Sequence, residues 1–166
     1  MVLSVGSAHA ASFPFTDGAG KLDTKIWYVA NGWANGEHQS CEWRAEAITF
    51  TETVARLRLS DQGGKVRPLG CAEMHTTTLH GYGTYRARLK TAAGSGLNTA
   101  FFTYVGPAVH GGEHSEIDFE FLGKNPRTVQ LNFFDKGVSQ GEKLIDLGFD
   151  ASADFHDYSF VWAPDR

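Results

Sequence analysis

No apolar run in this chain approaches the ~20 residues that a helix needs to cross a bilayer, so no membrane partner is expected. Positive charge is also short: 15 Lys and Arg against 19 Asp and Glu leave a net charge of -4, without the basic footprint of a nucleic-acid binder. Cysteine is nearly absent. Cys41 and Cys71 are the two present, and neither sits in a C-x-x-C pair, which argues against zinc or thiol redox chemistry. They are either two buried thiols or, in an exported protein, a bridge whose loop closure contributes roughly 3.5 kcal/mol on the chain-entropy model. There is no internal repeat, low-complexity segment or linker, and hardly any helical periodicity. What is present instead is 19 Gly and 13% aromatic residues in a composition 42% hydrophobic and 20% charged. That balance favours one all-β domain with many turns.

The first residues, Val2 to Val5 followed by Ala8-His9-Ala10-Ala11, resemble the end of a secretory signal but lack a basic start. Residues 1–12 are therefore read as a signal remnant or a disordered end, residues 13–166 as the domain, and the location as secreted or periplasmic. Strands are expected at Lys25–Val29, Cys41–Arg44, Ala47–Phe50 and Val54–Leu59, the last with Ala55, Leu57 and Leu59 inward. Cys71–Leu79 and Gly83–Lys90 read as a hairpin around His80-Gly81, and Leu97–Val105 as a strand buried on both faces. Thr128–Phe134, Lys143–Leu147 and Asp157–Trp162 complete about ten short strands, which predict a sandwich of two antiparallel sheets.

The informative stretch is Ser115 to Gly123. Glu116, Asp118 and Glu120 alternate with Ile117, Phe119 and Phe121, the period of a strand with one acidic and one apolar face. Three like charges on one strand face repel, and no Lys or Arg within the run relieves them. At roughly 3.3 Å per residue the α-carbons of Glu116 and Glu120 lie about 13 Å apart. Two side chains leaning together over Asp118 bring their carboxyls to about 5 Å, the spacing of a retaining glycosidase pair. The crowding raises one of the carboxyl pKa values, which suits an acid near neutral pH. A solvated acidic strand face is the plain alternative. His110 and His114 precede the run in a glycine-rich loop, but no H-E-x-x-H spacing occurs and no metal ligand is assigned.

Glu116-Ile117-Asp118-Phe119-Glu120-Phe121-Leu122-Gly123 resembles the active-site strand of glycoside hydrolase family sixteen. Asn35-Gly36, Cys41 to Ala45, Cys71-Ala72-Glu73, Gly81 to Gly83, Phe101 to Tyr104 and Leu147 to Ala151 resemble further motifs of its bacterial β-glycanases, in order and spacing. The resemblance implies a concanavalin A-like jelly roll and endo-acting, retaining cleavage of β-1,3-1,4-glucan or a related polysaccharide. Glu116 would be the nucleophile, Glu120 the general acid/base, and Asp118 the carboxylate that orients the nucleophile. It further implies Asn35, Glu73, Phe102, Tyr104, Asn132 and Glu142 as sugar contacts, a Cys41–Cys71 disulfide, a monomer, and no cofactor for catalysis. A structural calcium ion belongs to the family pattern; Pro14 matches one contributor and its partner is not found. Departures from that pattern are His75 for an Arg, His114 and Ser115 for Trp and Asp, and Phe134 for a Tyr. Such domains commonly run to ~200–250 residues, so C-terminal strands are expected to be missing. A lectin-like binding module and a transglycosylase of the same family are the alternatives.

Overall fold

The computed structural model describes residues 21–51, 53–107 and 111–164. The signal-like N-terminus, Pro14 and His110 lie outside the described residues. The chain divides into two compact units, one ending at His80 and the other beginning at Gly81.

In the first unit β1 (Trp27–Val29) pairs antiparallel with β6 (Met74–Thr76), and β3 (Ile48–Phe50) with β4 (Ala55–Leu57). β2 (Cys41–Trp43) pairs with β5 (Leu69–Cys71) in parallel, a departure from the all-antiparallel expectation. A disulfide joins Cys41 to Cys71 across this pair, with α-carbons 5.7 Å apart. Glu42, next to Cys41 in β2 and paired with Gly70, is 1% exposed. Its carboxylate accepts the backbone N–H groups of Val66 at 2.6 Å and Arg67 at 2.9 Å and the Arg44 guanidinium at 3.3 Å. Those donors replace the water the charge loses on burial. Gly64 has to be glycine, because a Cβ there would lie 1.8 Å from the Glu42 carboxylate. Leu57 and Leu59, expected inward, are 48% and 46% exposed. Alternation marks which residues share a face, and not how far that face is covered.

In the second unit five strands form one antiparallel sheet. β9 (Ser115–Leu122) lies between β8 (Asn98–Val105) and β10 (Thr128–Asp135); β11 (Val138–Ser139) and β12 (Lys143–Asp146) both pair with β10. The β10–β11 turn has two residues with positive φ, Lys136 at 50° and Gly137 at 80°, the backbone of a tight hairpin whose twist matches its strands. β7 (Gly83–Leu89) pairs with β13 (His156–Trp162) as a second layer. Tyr158 and Phe160 from β13 pack on Phe119, and Phe121 meets Tyr158 edge-on at 4.7 Å. Phe121, Val129, Ala151 and Tyr158 form the buried core of this unit.

The expected hairpin around His80-Gly81 does not form, since β6 pairs with β1 and β7 with β13. The alternating Arg86 and Arg88 that marked β7 as a strand both reach Asp157, at 3.2 and 3.0 Å, which ties its register to a distant partner. Nor is β8 buried on both faces. Its residues alternate between exposed and half-buried, because Phe102 and Tyr104 share the face that carries the carboxylates.

Candidate active site

Register brings the site together. Residues directly opposite in an antiparallel pair share a face, so three rows cross β8, β9 and β10: Tyr104–Glu116–Phe134, Phe102–Asp118–Asn132 and Ala100–Glu120–Gln130. The same strand turns Ile117, Phe119 and Phe121 to the other face, where Phe119 and Phe121 meet the aromatic layer of β13. Core packing on one side therefore sets where the carboxylates stand on the other.

Asp118, in the middle row, is 8% exposed. Its pKa is pushed up to about 8, first by burial, then by the charge of Glu116, a hydrogen bond with Glu116, and the charge of Glu120. The proton that crowding was expected to retain thus sits between the two glutamates. At neutral pH a protonated Asp118 supplies the hydrogen of its bond with Glu116.

Different donors hold the two outer carboxylates. His114 Nε2 lies 2.7 Å from Glu116 Oε2. The imidazole is stacked on Phe134, with centroids 4.7 Å apart and planes at 22°, and Tyr104 flanks it at 5.3 Å. Glu120 accepts Asn98 Nδ2 at 2.6 Å and Gln130 Nε2 at 3.0 Å, one on each oxygen. Phe102 and Tyr104 are each 38% exposed, more than core residues would be, on the face that carries the carboxylates. Asn132 stands opposite Asp118, and its side-chain oxygen accepts the Phe133 N–H and the Ser139 hydroxyl.

Glu142 is exposed in the loop before β12. Asn35 and Glu73 belong to the first unit. Asn35 is exposed at a bend, and the half-buried Glu73 carboxyl is pushed up by burial while the charge of His75 opposes the shift. His75 in turn lies against Tyr28, with ring centroids 4.9 Å apart. Among the described residues no group of three or more His, Cys, Asp or Glu is arranged to hold a metal ion. A cavity of about 280 Å³ lined by Gly96, Leu97, Asn98, Leu122 and Lys124 lies beside the Glu120 end of the carboxylate row.

Sequence reasoning passed over Asn98 and Gln130. Gln130 was within reach: β9 and β10 are joined by the short turn at Lys124 to Pro126, and counting outward from it sets Gln130 against Glu120. His114 stands in the sequence as a departure from the family pattern beside Glu116, and period two puts it on the same face.

Residues 35–166 match the family described as glycosyl hydrolases family 16. The chain belongs to that family. Among family relatives, the endo-1,3-1,4-beta-glycanase ExoK of Rhizobium meliloti is 44% identical over 152 residues, covering 92% of this chain and 56% of its own length. A beta-glucanase of Paenibacillus macerans is 42% identical over 164 residues, 99% of this chain and 68% of the relative. The chain thus spans little more than half of the first relative and about two thirds of the second. Among solved structures, a prokaryotic beta-1,3-1,4-glucanase (lichenase) from a mouse hindgut metagenome superposes with a TM-score of 0.83 at 40% identity, over 89% of this chain and 69% of that one. A Bacillus licheniformis beta-glucanase gives 0.82 at 37% identity, over 94% and 71%. The all-β jelly-roll fold class expected from the sequence is the one these family 16 structures carry.

Proposed function

We propose that this chain is the catalytic part of an exported, endo-acting retaining β-glycanase that cleaves β-linked glucan, in the manner that the printed names of its relatives describe. The observation that carries the reading is the row Glu116–Asp118–Glu120, in which burial and the two flanking charges push the central carboxyl's pKa up, with two exposed aromatic rings beside it. A binding groove has no use for three carboxylates on adjacent positions of one face.

In the reaction, the Glu116 carboxylate attacks the anomeric carbon while Glu120 gives its proton to the glycosidic oxygen, which leaves with the bonding electron pair. Glu116 is then esterified and neutral. The Coulomb contribution from Glu116 to Asp118 disappears at that point, so the proton on Asp118 is held less tightly until the ester is hydrolysed. Glu120, now a carboxylate, takes a proton from water, and the resulting attack releases the sugar with retained configuration. The Cys41–Cys71 bridge supports an oxidising, extracytoplasmic setting. A monomer acting on polysaccharide without a cofactor fits these steps.

The test is release of reducing ends from barley β-glucan, laminarin and a mixed β-linked bacterial exopolysaccharide, with Glu116→Gln as control. Early products of mixed length that first appear as the β-anomer are expected, and none from the control. Binding without release by the wild-type chain would point to a carbohydrate-binding module. Inversion, or full activity of the control, would reject the assignment of Glu116.

A further inference from the structure

Glu120 is clamped by two carboxamides drawn from different strands, Asn98 of β8 and Gln130 of β10, one on each carboxyl oxygen. Gln130 faces Glu120 directly, while Asn98 is paired with Leu122 and reaches Glu120 diagonally. The terminal torsion of a glutamate is soft and nearly two-fold, so left alone the carboxyl plane wanders. A donor on each oxygen removes that freedom, because rotation would break both bonds. Asparagine and glutamine do not titrate, so the donors themselves are present at any working pH. With a proton on Glu120 both oxygens still accept, the hydroxyl oxygen more weakly, and the O–H is left to point at the substrate. Both N–H donors bond most strongly when Glu120 is a carboxylate.

Building on the hydrolase reading above, we propose that Asn98, with Gln130, is a positioning residue that aims the Glu120 proton at the leaving oxygen and stabilises the carboxylate left when that proton departs. In the step concerned, the Glu120 O–H bond breaks, its proton goes to the glycosidic oxygen, and the electron pair of the cleaved C–O bond leaves with that oxygen. The two N–H donors gain strength as negative charge returns to Glu120. They bind the transition state better than the ground state. Their contribution is confined to substrates whose leaving group needs the proton.

The test compares kcat/KM, which reports the glycosylation step, on two substrates: a β-glucan oligosaccharide, and the dinitrophenyl β-glycoside of the corresponding sugar, whose leaving group departs unprotonated. Asn98→Leu is expected to lower kcat/KM on the oligosaccharide by roughly tenfold, as for one hydrogen bond to a charged group. On the activated glycoside it stays within about twofold of wild type, since proton donation is not needed there. Gln130→Leu shifts the same ratio in the same direction, and Asn98→Gln, which keeps a carboxamide, recovers part of the loss. Asn98 is exposed, so circular dichroism and Tm of the variant should match wild type. Equal losses on both substrates, or none on either, overturn the proposal while the hydrolase reading stands. A wild-type chain that turns over neither substrate removes the hydrolase reading, and this inference with it.

Discussion

Replacing Asp118 with Asn removes a titrating group from the centre of the carboxylate row while keeping its size and a hydrogen-bond donor for Glu116. In the folded protein the Asp118 pKa is raised from 3.8 to about 8. Between those values the native state holds a proton that the unfolded chain has released. Stability therefore falls as pH rises from about 4 to about 8 and is level on either side. Roughly four pKa units at about 1.4 kcal/mol each set a ceiling near 6 kcal/mol. Because the three carboxylates titrate as a group, about half of that, ~3 kcal/mol, is expected from this position. At 2–4 °C per kcal/mol for a chain of this size, the corresponding change in Tm is about 6–12 °C. Thermal melts of wild type and Asp118→Asn in matched buffers from pH 4 to 9 measure it. The variant should melt with wild type near pH 4 and above it by that margin at pH 8 and beyond. A difference that stays constant across the range would refute the account of a proton trapped by burial and neighbouring charge. Activity of the variant falls at every pH, because an amide cannot loosen its proton while Glu116 is esterified.

Two further outcomes follow from other parts of the structure. His114→Phe keeps an aromatic ring against Phe134 and Tyr104 but removes the nitrogen 2.7 Å from Glu116; steady-state kinetics should show kcat lowered by about tenfold with KM little changed, through loss of aim at the nucleophile. Opening the Cys41–Cys71 bridge, which closes a separation of 30 residues, should cost roughly 3.5 kcal/mol on the chain-entropy relation, read as a shift in urea midpoint of Cys41→Ala/Cys71→Ala against wild type.

Legibility in the sequence depended on how local each feature is. The face of Glu116, Asp118 and Glu120 is written in the period of nine consecutive residues, and strand geometry leaves little choice. Partners are not written that way. Tyr85, Ala87 and Leu89 identify β7 as a strand equally well whether it pairs with the preceding β6 or with β13, and the deciding contacts come from Asp157, far along the chain. The apolar look of Leu97 to Val105 points to burial on both sides, yet aromatic rings that serve an open face carry the same hydropathy as rings in a core. Asn98 is hardest of all: an exposed polar residue at a strand start, it acquires meaning only from a diagonal reach across a register that no single stretch encodes.

The pairing of β7 with β13 also imposes an order on synthesis. β7 ends at Leu89, and its partner begins only at His156. At 5–20 residues per second, the ribosome needs about 3–13 s to supply the missing strand. Throughout that interval β8, β9 and β10 can zip together locally, with Phe101, Phe119 and Phe121 presented to whatever is nearby. The carboxylate face is thus assembled on a sheet whose greasy side waits uncovered, and the nascent chain is most open to chaperone capture or mispairing just before Tyr158 and Phe160 emerge to close it.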